Sequence, residues 1–552
     1  MAQIILMKSP GIRGFITSLR PLPMVAVLFS RREIHRDKQN RDHRERSTPE
    51  FSHTLVSAGI VAALCAAVMA GQSLQKFRTF YSLEEVKVPG AKTAKASDGV
   101  EWTAAARGLY RNSNEYFAGK RYLPDDEVLG LMPDASRGMW VRTRTGVSHI
   151  ELREMTLAQK AAAFEDRVRL RHDRYGMVAD SHLAKAGDLS TNVLESSDND
   201  GLWTAMYGAA ECFRYAVTKD PDALARARRA IEAVLFLETV TGVPGLPARS
   251  YVKAGDPRPK DGVWHWTAGR QIQWKGDTSS DEIVGHFFVL SIAYDFLDDL
   301  ALKARMAEAA RKMMDYIISH GYNLVDVTGK PTTWGKWSPE YFSGKGKSDS
   351  ALNALELLSF LKVTEHMTDD ARYAAEYKKV AVQMKYAEQA ARYLELRVEI
   401  NYSDEELAML SFYPFFRYAK GASVRRGLDQ WWANCRREKN PLWTYIYLAA
   451  RQESKVDLDG AIKTLDRIPM DLISWKVVNS DRKDVTMDKE LDRANERQAQ
   501  TWLPPDERPV MKWNGNPFVV NGGNGGFSED DGAFFLLPYW MGRFMGVIPA
   551  GR

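Results

Sequence analysis

Six stretches of this chain are apolar on nearly every face of a helix, and each is reached through a polar, mostly acid-bearing turn. They are SSDNDGLWTAMYGAAECFRYAV (196–217), TSSDEIVGHFFVLSIAYDFL (278–297), KSDSALNALELLSFLKV (347–363), NYSDEELAMLSFYPFFRY (401–418), KNPLWTYIYLAAR (439–451) and SEDDGAFFLLPYWMGRF (528–544). A helix without a polar stripe has to be buried on all sides. Alternating with them are six amphipathic helices, at 156–172, 220–240, 297–321, 368–396, 421–438 and 458–468. Their apolar residues recur at three and four, leaving one charged face for water. Asp220 before Pro221 is a helix cap followed by proline at the first helical position. Six buried helices alternating with six half-wet ones predict a mainly α fold, an (α/α)6 toroid of six inner and six outer helices over 151–552. All inner helices then run the same way, and their N-terminal ends gather on one face.

That arrangement brings Asp198, Asp200, Asp281, Glu282, Asp349, Asp404, Glu405, Glu406, Glu529, Asp530 and Asp531 around one funnel. Ser, Asp and Asn are good helix caps, each stabilising by ~1 kcal/mol, which explains one such residue per helix. Doubled and tripled acids go beyond that, since a cap needs one oxygen. The loops before the inner helices also carry Trp264, Trp266, Trp274, Trp334, Trp337, Trp502 and Trp513. On polar, glycine-rich loops such rings are expected as exposed faces for a flat ligand.

Paired carboxylates suit acid–base work, in which one acid protonates a leaving group and one carboxylate activates water or attacks. The pair is expected from Asp281/Glu282 and Asp404/Glu405, with Asp200 next. Gly285, one turn after Asp281, would leave that face open to a ligand. His286, one turn after Glu282, would orient it, bind substrate, or serve only as a core histidine. Substrate contacts are expected from Asp198, Trp203, Trp274, Trp334, Trp337, Trp513, Asn514, Asp530 and Asp531. Glu282 and His286 share a helix face, but H-E-x-x-H is absent, so no metal is expected. No cofactor is expected either: there is no Walker loop and no G-x-G-x-x-G.

The formal net charge of +5 belongs to the leader. The first 50 residues hold ten Lys and Arg against five Asp and Glu, and 51–70 hold none of the four. The rest is neutral, with no basic face for nucleic acid. The run LVSAGIVAALCAAVMA at 55–70 follows that basic segment and ends in a small residue, the pattern of a secretory signal peptide cleaved after Ala70. Residues 1–70 are therefore read as a leader and the protein as secreted or periplasmic, free of the membrane after cleavage. An uncleaved signal anchor is the alternative. Residues 71–150 are read as an extension packed on the toroid, with a helix near 101–117 and a strand pair in GMWVRTRTGVSHIEL. Cys212 and Cys435 fall inside helices with apolar neighbours and are expected as buried free thiols, a disulfide between them being the alternative.

The motifs SSDNDGLW, KGDTSSDEIVGHFF, NYSDEE, KWNGNP and SEDDGAFFLLPYW, on paired helices with Trp-lined loops, resemble the (α/α)6-toroid carbohydrate-active enzymes, the glycoside hydrolases and polysaccharide lyases. The resemblance spans about 155–552. It implies a carbohydrate substrate, a cleft on the inner-helix N-terminal face and, most often, inversion at the anomeric carbon. A lyase would instead need His286 or a Tyr as base, with Asn514, Asn516, Arg249 or Arg270 against a uronate. A non-catalytic sugar-binding toroid is the third reading.

Overall fold

A computed structural model describes residues 71–397, 399–452 and 455–552, all within one compact unit; the leader, with its apolar run, lies outside the described residues. The described residues begin as β-structure. Strand β1 (Ser73–Tyr81) pairs antiparallel with β8 (Val147–Met155), Ser73 opposite Met155 and Tyr81 opposite Val147. Its sheet continues through β7 (Met139–Thr143) to β6 (Val128–Pro133). A second sheet runs in chain order through β2 (Thr93–Lys95), β3 (Glu101–Ala104), β4 (Leu109–Arg111) and β5 (Glu115–Phe117). The two share a core of Trp102, Leu109, Phe117, Leu131, Val141 and Ile150. The strand pair expected at 138–152 is β7 and β8. The helix expected near 101–117 is instead β3, β4 and β5, because Trp102, Leu109 and Phe117 are buried between sheets, and tertiary packing overrides the weak helical preference of so short a segment.

Fifteen α-helices follow among the described residues. Six are buried nearly throughout: α2 (Asp200–Thr218), α4 (Ser280–Phe296), α6 (Ser350–Thr368), α8 (Tyr402–Tyr418), α10 (Pro441–Arg451) and α12 (Ala533–Phe544). Each packs against the next in chain order, and α12 returns to α2. Six amphipathic helices back them: α1 (Leu157–Arg171), α3 (Pro221–Val240), α5 (Leu300–Ser319), α7 (Ala371–Lys378), α9 (Ala422–Cys435) and α11 (Leu458–Arg467). In α5 the buried residues are Leu302, Met306, Ala309, Ala310, Met313, Met314 and Ile317, a single stripe at three and four. The amphipathic stretch expected as one helix at 368–396 breaks up after Lys378 into a π turn and two one-turn helices. Cys212 and Cys435 are both buried free thiols.

Close approach between inner helices depends on glycine at Gly285. A Cβ there would lie 2.9 Å from the Leu202 Cα of α2. The face expected to be open to a ligand is therefore the α2–α4 contact itself, which only a hydrogen side chain permits.

Candidate functional site

Every residue of α4 from Ser280 to Ala293 is buried except Asp281. This carboxylate sits in the first turn, where the free backbone N–H groups favour negative charge. It does not cap the helix. Nor do Asp349, at the head of α6, or Asp404, in the first turn of α8. Asp349 accepts from Tyr341 Oη at 2.7 Å and from Ser348 Oγ at 2.8 Å. The cap of α8 is Asn401, whose Oδ1 accepts from the Ser403 N–H at 3.3 Å while its amide donates to Asp404 Oδ1 at 2.7 Å. Caps thus do not account for these three acids.

Their charges converge. Burial first, then the Asp349 carboxylate, with Asp281 also contributing, push Asp404 up to about 7, against the pull of Arg493 and the Asn401 amide. One turn into α8, Glu406 is fully buried, with neither oxygen hydrogen-bonded; burial and then Asp281 push it up to about 8, with Lys512 opposing. In α6, Glu356 is fully buried and also pushed up to about 8, by burial and by Asp281, Asp404 and Asp349, although the Trp337 indole N–H donates to Oε2 at 2.7 Å. Glu282 goes well above the ordinary range by burial, opposed by Arg249 and raised further by Asp281 and Asp200. Neither of its oxygens has a hydrogen bond of normal geometry; the Leu202 N–H is its closest backbone support. A Cβ on Gly201 would fall 1.9 Å from Glu282 Oε2, so that glycine makes the room for the carboxyl. The N-terminal turns of α4, α6 and α8 thus form one electrostatic unit with Asp281 common to all of it.

A second group lies where α2 meets the segment before α12. Lys512 Nζ stands 3.2 Å from Asp531 and 3.8 Å from Asp180, and 4.3 Å from the centroid of the Trp203 ring. Burial lowers the ammonium pKa, but Asp531, Asp180 and Asp530 together hold it above its ordinary value. Asp530 is pushed up to about 6, by burial and by Asp531 and Asp180, with Lys512 opposing. Asp531 is held low by Lys512 and His172 in spite of its burial, and its Oδ1 accepts from the N–H of Ala533, the first residue of α12, at 2.6 Å.

Several expected site residues are spent elsewhere. Glu405, 100° round the helix from Glu406, turns outward onto Asn434 of α9 and shares a buried site with Glu438. Asp200 is fully buried and saturated by Arg174 Nη2 at 2.6 Å, the Ser250 hydroxyl, and the Ser197 N–H and hydroxyl at 2.9 and 2.8 Å. His286 is fully buried, with Nδ1 2.6 Å from the Glu282 carbonyl and Nε2 3.2 Å from the Val234 carbonyl; burial lowers its pKa. A ring held between two backbone carbonyls of α3 and α4 has no nitrogen left for a substrate, so the lyase loses this base. Asp198 pairs with Lys275 and lies 3.7 Å from Arg249. Glu529 belongs to a two-residue strand, Ser528–Glu529, and is held down at about 2 by His172, Arg171 and Arg167 despite burial.

The aromatic expectation divides. Trp334 is 57 % exposed on the hairpin strand Pro331–Lys336. Trp337 is fully buried, Trp274 packs with Tyr251 and Ala248, and Trp513 donates to the Phe534 carbonyl at 2.8 Å. Trp203 is buried, with Lys512 over its ring. These rings are core because the loops fold back onto the helices they precede. Asn514 is half-buried beside Trp513. The sequence placed Asp349 and Glu406 among the funnel acids without giving either a role, and it did not single out Glu356 or Lys512 at all. One signal was available: Glu356 is the only charged residue in the buried run 350–361. Among the described residues no cluster of three or more His, Cys, Asp or Glu side chains is placed to hold a metal ion, and no helix is long and apolar enough to cross a membrane.

No protein-family model and no curated protein matches the chain. Among solved structures it is similar to a polysaccharide lyase (TM-score 0.33, 12% identity, 71% of this chain and 97% of that one). It is also similar to a family 76 glycoside hydrolase from a bovine Bacteroides thetaiotaomicron strain (TM-score 0.26, 8% identity, 68% and 85%). A third is AaCel9A in complex with cellobiose-like isofagomine (TM-score 0.37, 9% identity, 87% and 96%).

Proposed function

We propose that the twelve helices form an (α/α)6 toroid and that the chain is a glycoside hydrolase working through two carboxylates at the inner-helix N-termini. Asp404 is the proton donor and Asp281 the carboxylate that activates water. The observation that carries this reading is the pushing of Asp404 up to about 7 by burial and by Asp349 and Asp281, next to a carboxylate in the first turn of the adjacent helix α4. A donor has to hold its proton near the working pH, and an acid pushed up by its surroundings fits that role. Glu356 and Glu406, carrying protons beneath the pair, keep the floor of the funnel from accumulating charge.

The mouth holds more acids than bases, which favours a neutral glycan over a uronate chain and a hydrolase over a lyase. Inversion at the anomeric carbon is the stereochemical course expected from the resemblance. Export by the 1–70 leader, with 71–150 as a separate extension on a catalytic toroid of 151–552, completes the proposal. The test is a panel of neutral and acidic polysaccharides, with the product anomer followed by NMR. Release of an inverted reducing sugar that is lost in Asp404→Asn supports the reading. Release of an unsaturated product from a uronate chain would refute it.

A further inference from the structure

Away from the funnel, a cavity of about 1110 Å³ opens between the β-strands and the loops 475–479 and 506–507. Its acids are all engaged. Asp506 is taken by Lys76 and by Arg467 at 2.9 Å, and Glu507 by Arg467 at 2.8 Å and Arg482 at 2.9 Å. Asp126 pairs with Arg107 at 2.9 Å, Glu127 with Arg144 at 3.5 Å, and Asp125 accepts from Thr145.

Three cations that line the cavity have no carboxylate partner among the described residues: Lys120, Arg121 and Lys476. Arg121 is the informative one. It is only 5% exposed. Its guanidinium reaches just two backbone carbonyls, Asp506 and Ile473, each at 3.4 Å, and its Nε has no partner. A buried guanidinium with long, sparse hydrogen bonds and no direct ion pair is costly unless something anionic joins it. Lys120 and Lys476, which line the same cavity, are exposed. The volume exceeds what a lone inorganic ion fills and matches a ligand of several sugar rings.

We propose that this cavity is a non-catalytic binding site for an acidic oligosaccharide, with Arg121 receiving a carboxylate or sulfate group and Lys120 and Lys476 the neighbouring charges. It is independent of the hydrolase reading, since binding here needs no residue of the funnel.

The test is calorimetric titration of the full chain with hexamers of polygalacturonate, of heparin and of cellulose. Binding of either acidic hexamer, weakened by salt and weakened about tenfold or more in Lys120→Ala/Lys476→Ala, supports the site. Which of the two binds identifies carboxylate or sulfate as the anion. Arg121→Gln should abolish binding, and because it risks misfolding, the surface double variant stands as the decisive one. Equal binding of the cellulose hexamer, no binding of either acidic one, or unchanged affinity in the double variant overturns the proposal. So does a parallel fall in turnover of a neutral substrate by the double variant, which would make the cavity part of the funnel.

Discussion

The Trp337 indole N–H donates to Glu356 Oε2 at 2.7 Å, with both side chains fully buried. Trp337 comes from the loop before α6 and Glu356 from within α6, so one hydrogen bond ties that loop to the interior of the helix it precedes. The other oxygen, Oε1, has no partner, which fits a carboxyl that carries a proton. Trp337→Phe should therefore cost about 1–3 kcal/mol in urea unfolding, from a buried acceptor left unsatisfied. A cost near zero would mean the bond contributes nothing.

Asp404→Asn and Asp281→Asn should each lower kcat by ~10²–10⁴-fold while stability stays within about 1 kcal/mol of the parent, since neither acid caps its helix. Removing Asp404 also relieves its repulsion with Asp349. Loss of folding in step with activity, followed by circular dichroism, would assign these acids a structural role.

The alkaline limb of the rate profile should fall through about 7, where Asp404 loses its proton. Asp349 is the leading charge that raises it, so Asp349→Asn should move that limb to lower pH. Profiles of kcat/KM for the two proteins check this; an unmoved limb would exclude Asp404 as the donor.

Stability should decline as pH rises from the ordinary carboxylate range to about 8. Asp404, Glu356 and Glu406 hold protons up to about 7, 8 and 8 in the folded chain, and the unfolded chain has released them by then. Glu529 and Asp506, held at about 2, work the other way: their stabilisation is present above the ordinary carboxylate range and is lost as pH falls toward 2. Tm should therefore peak on the acid side of neutrality, and Glu406→Gln should flatten the alkaline decline. A Tm that climbs from pH 5 to pH 8 would contradict these assignments.

Gly285→Ala should destabilise by about 1–3 kcal/mol, because the new methyl meets backbone 2.9 Å away rather than a side chain that can rotate. If the face were open to a ligand, the change would be neutral or slightly stabilising in a helix.

The helical succession was legible in the chain because burial is written in periodicity. Runs such as 283–293 have no polar stripe, and stripes such as Leu302, Met306, Ala309 and Met313 have only one dry side. The acids at the heads of α4, α6 and α8 were legible for the same reason, and the charges of Asp281, Asp349 and Asp404 meet in the folded chain. The tertiary structure alone decided which of two neighbouring acids joins Asp281. Glu405 and Glu406 are one residue apart, and a 100° turn sends one to Glu438 and the other toward Asp281. It also decided that Trp337 and Trp274 are core while Trp334 is not, since a loop's composition does not say which side folds back onto the helices. Glu356 stayed hidden among leucines because a buried carboxyl is tolerated only when distant parts of the chain, here Trp337 and the acids of α4 and α8, settle its hydrogen bond and its proton.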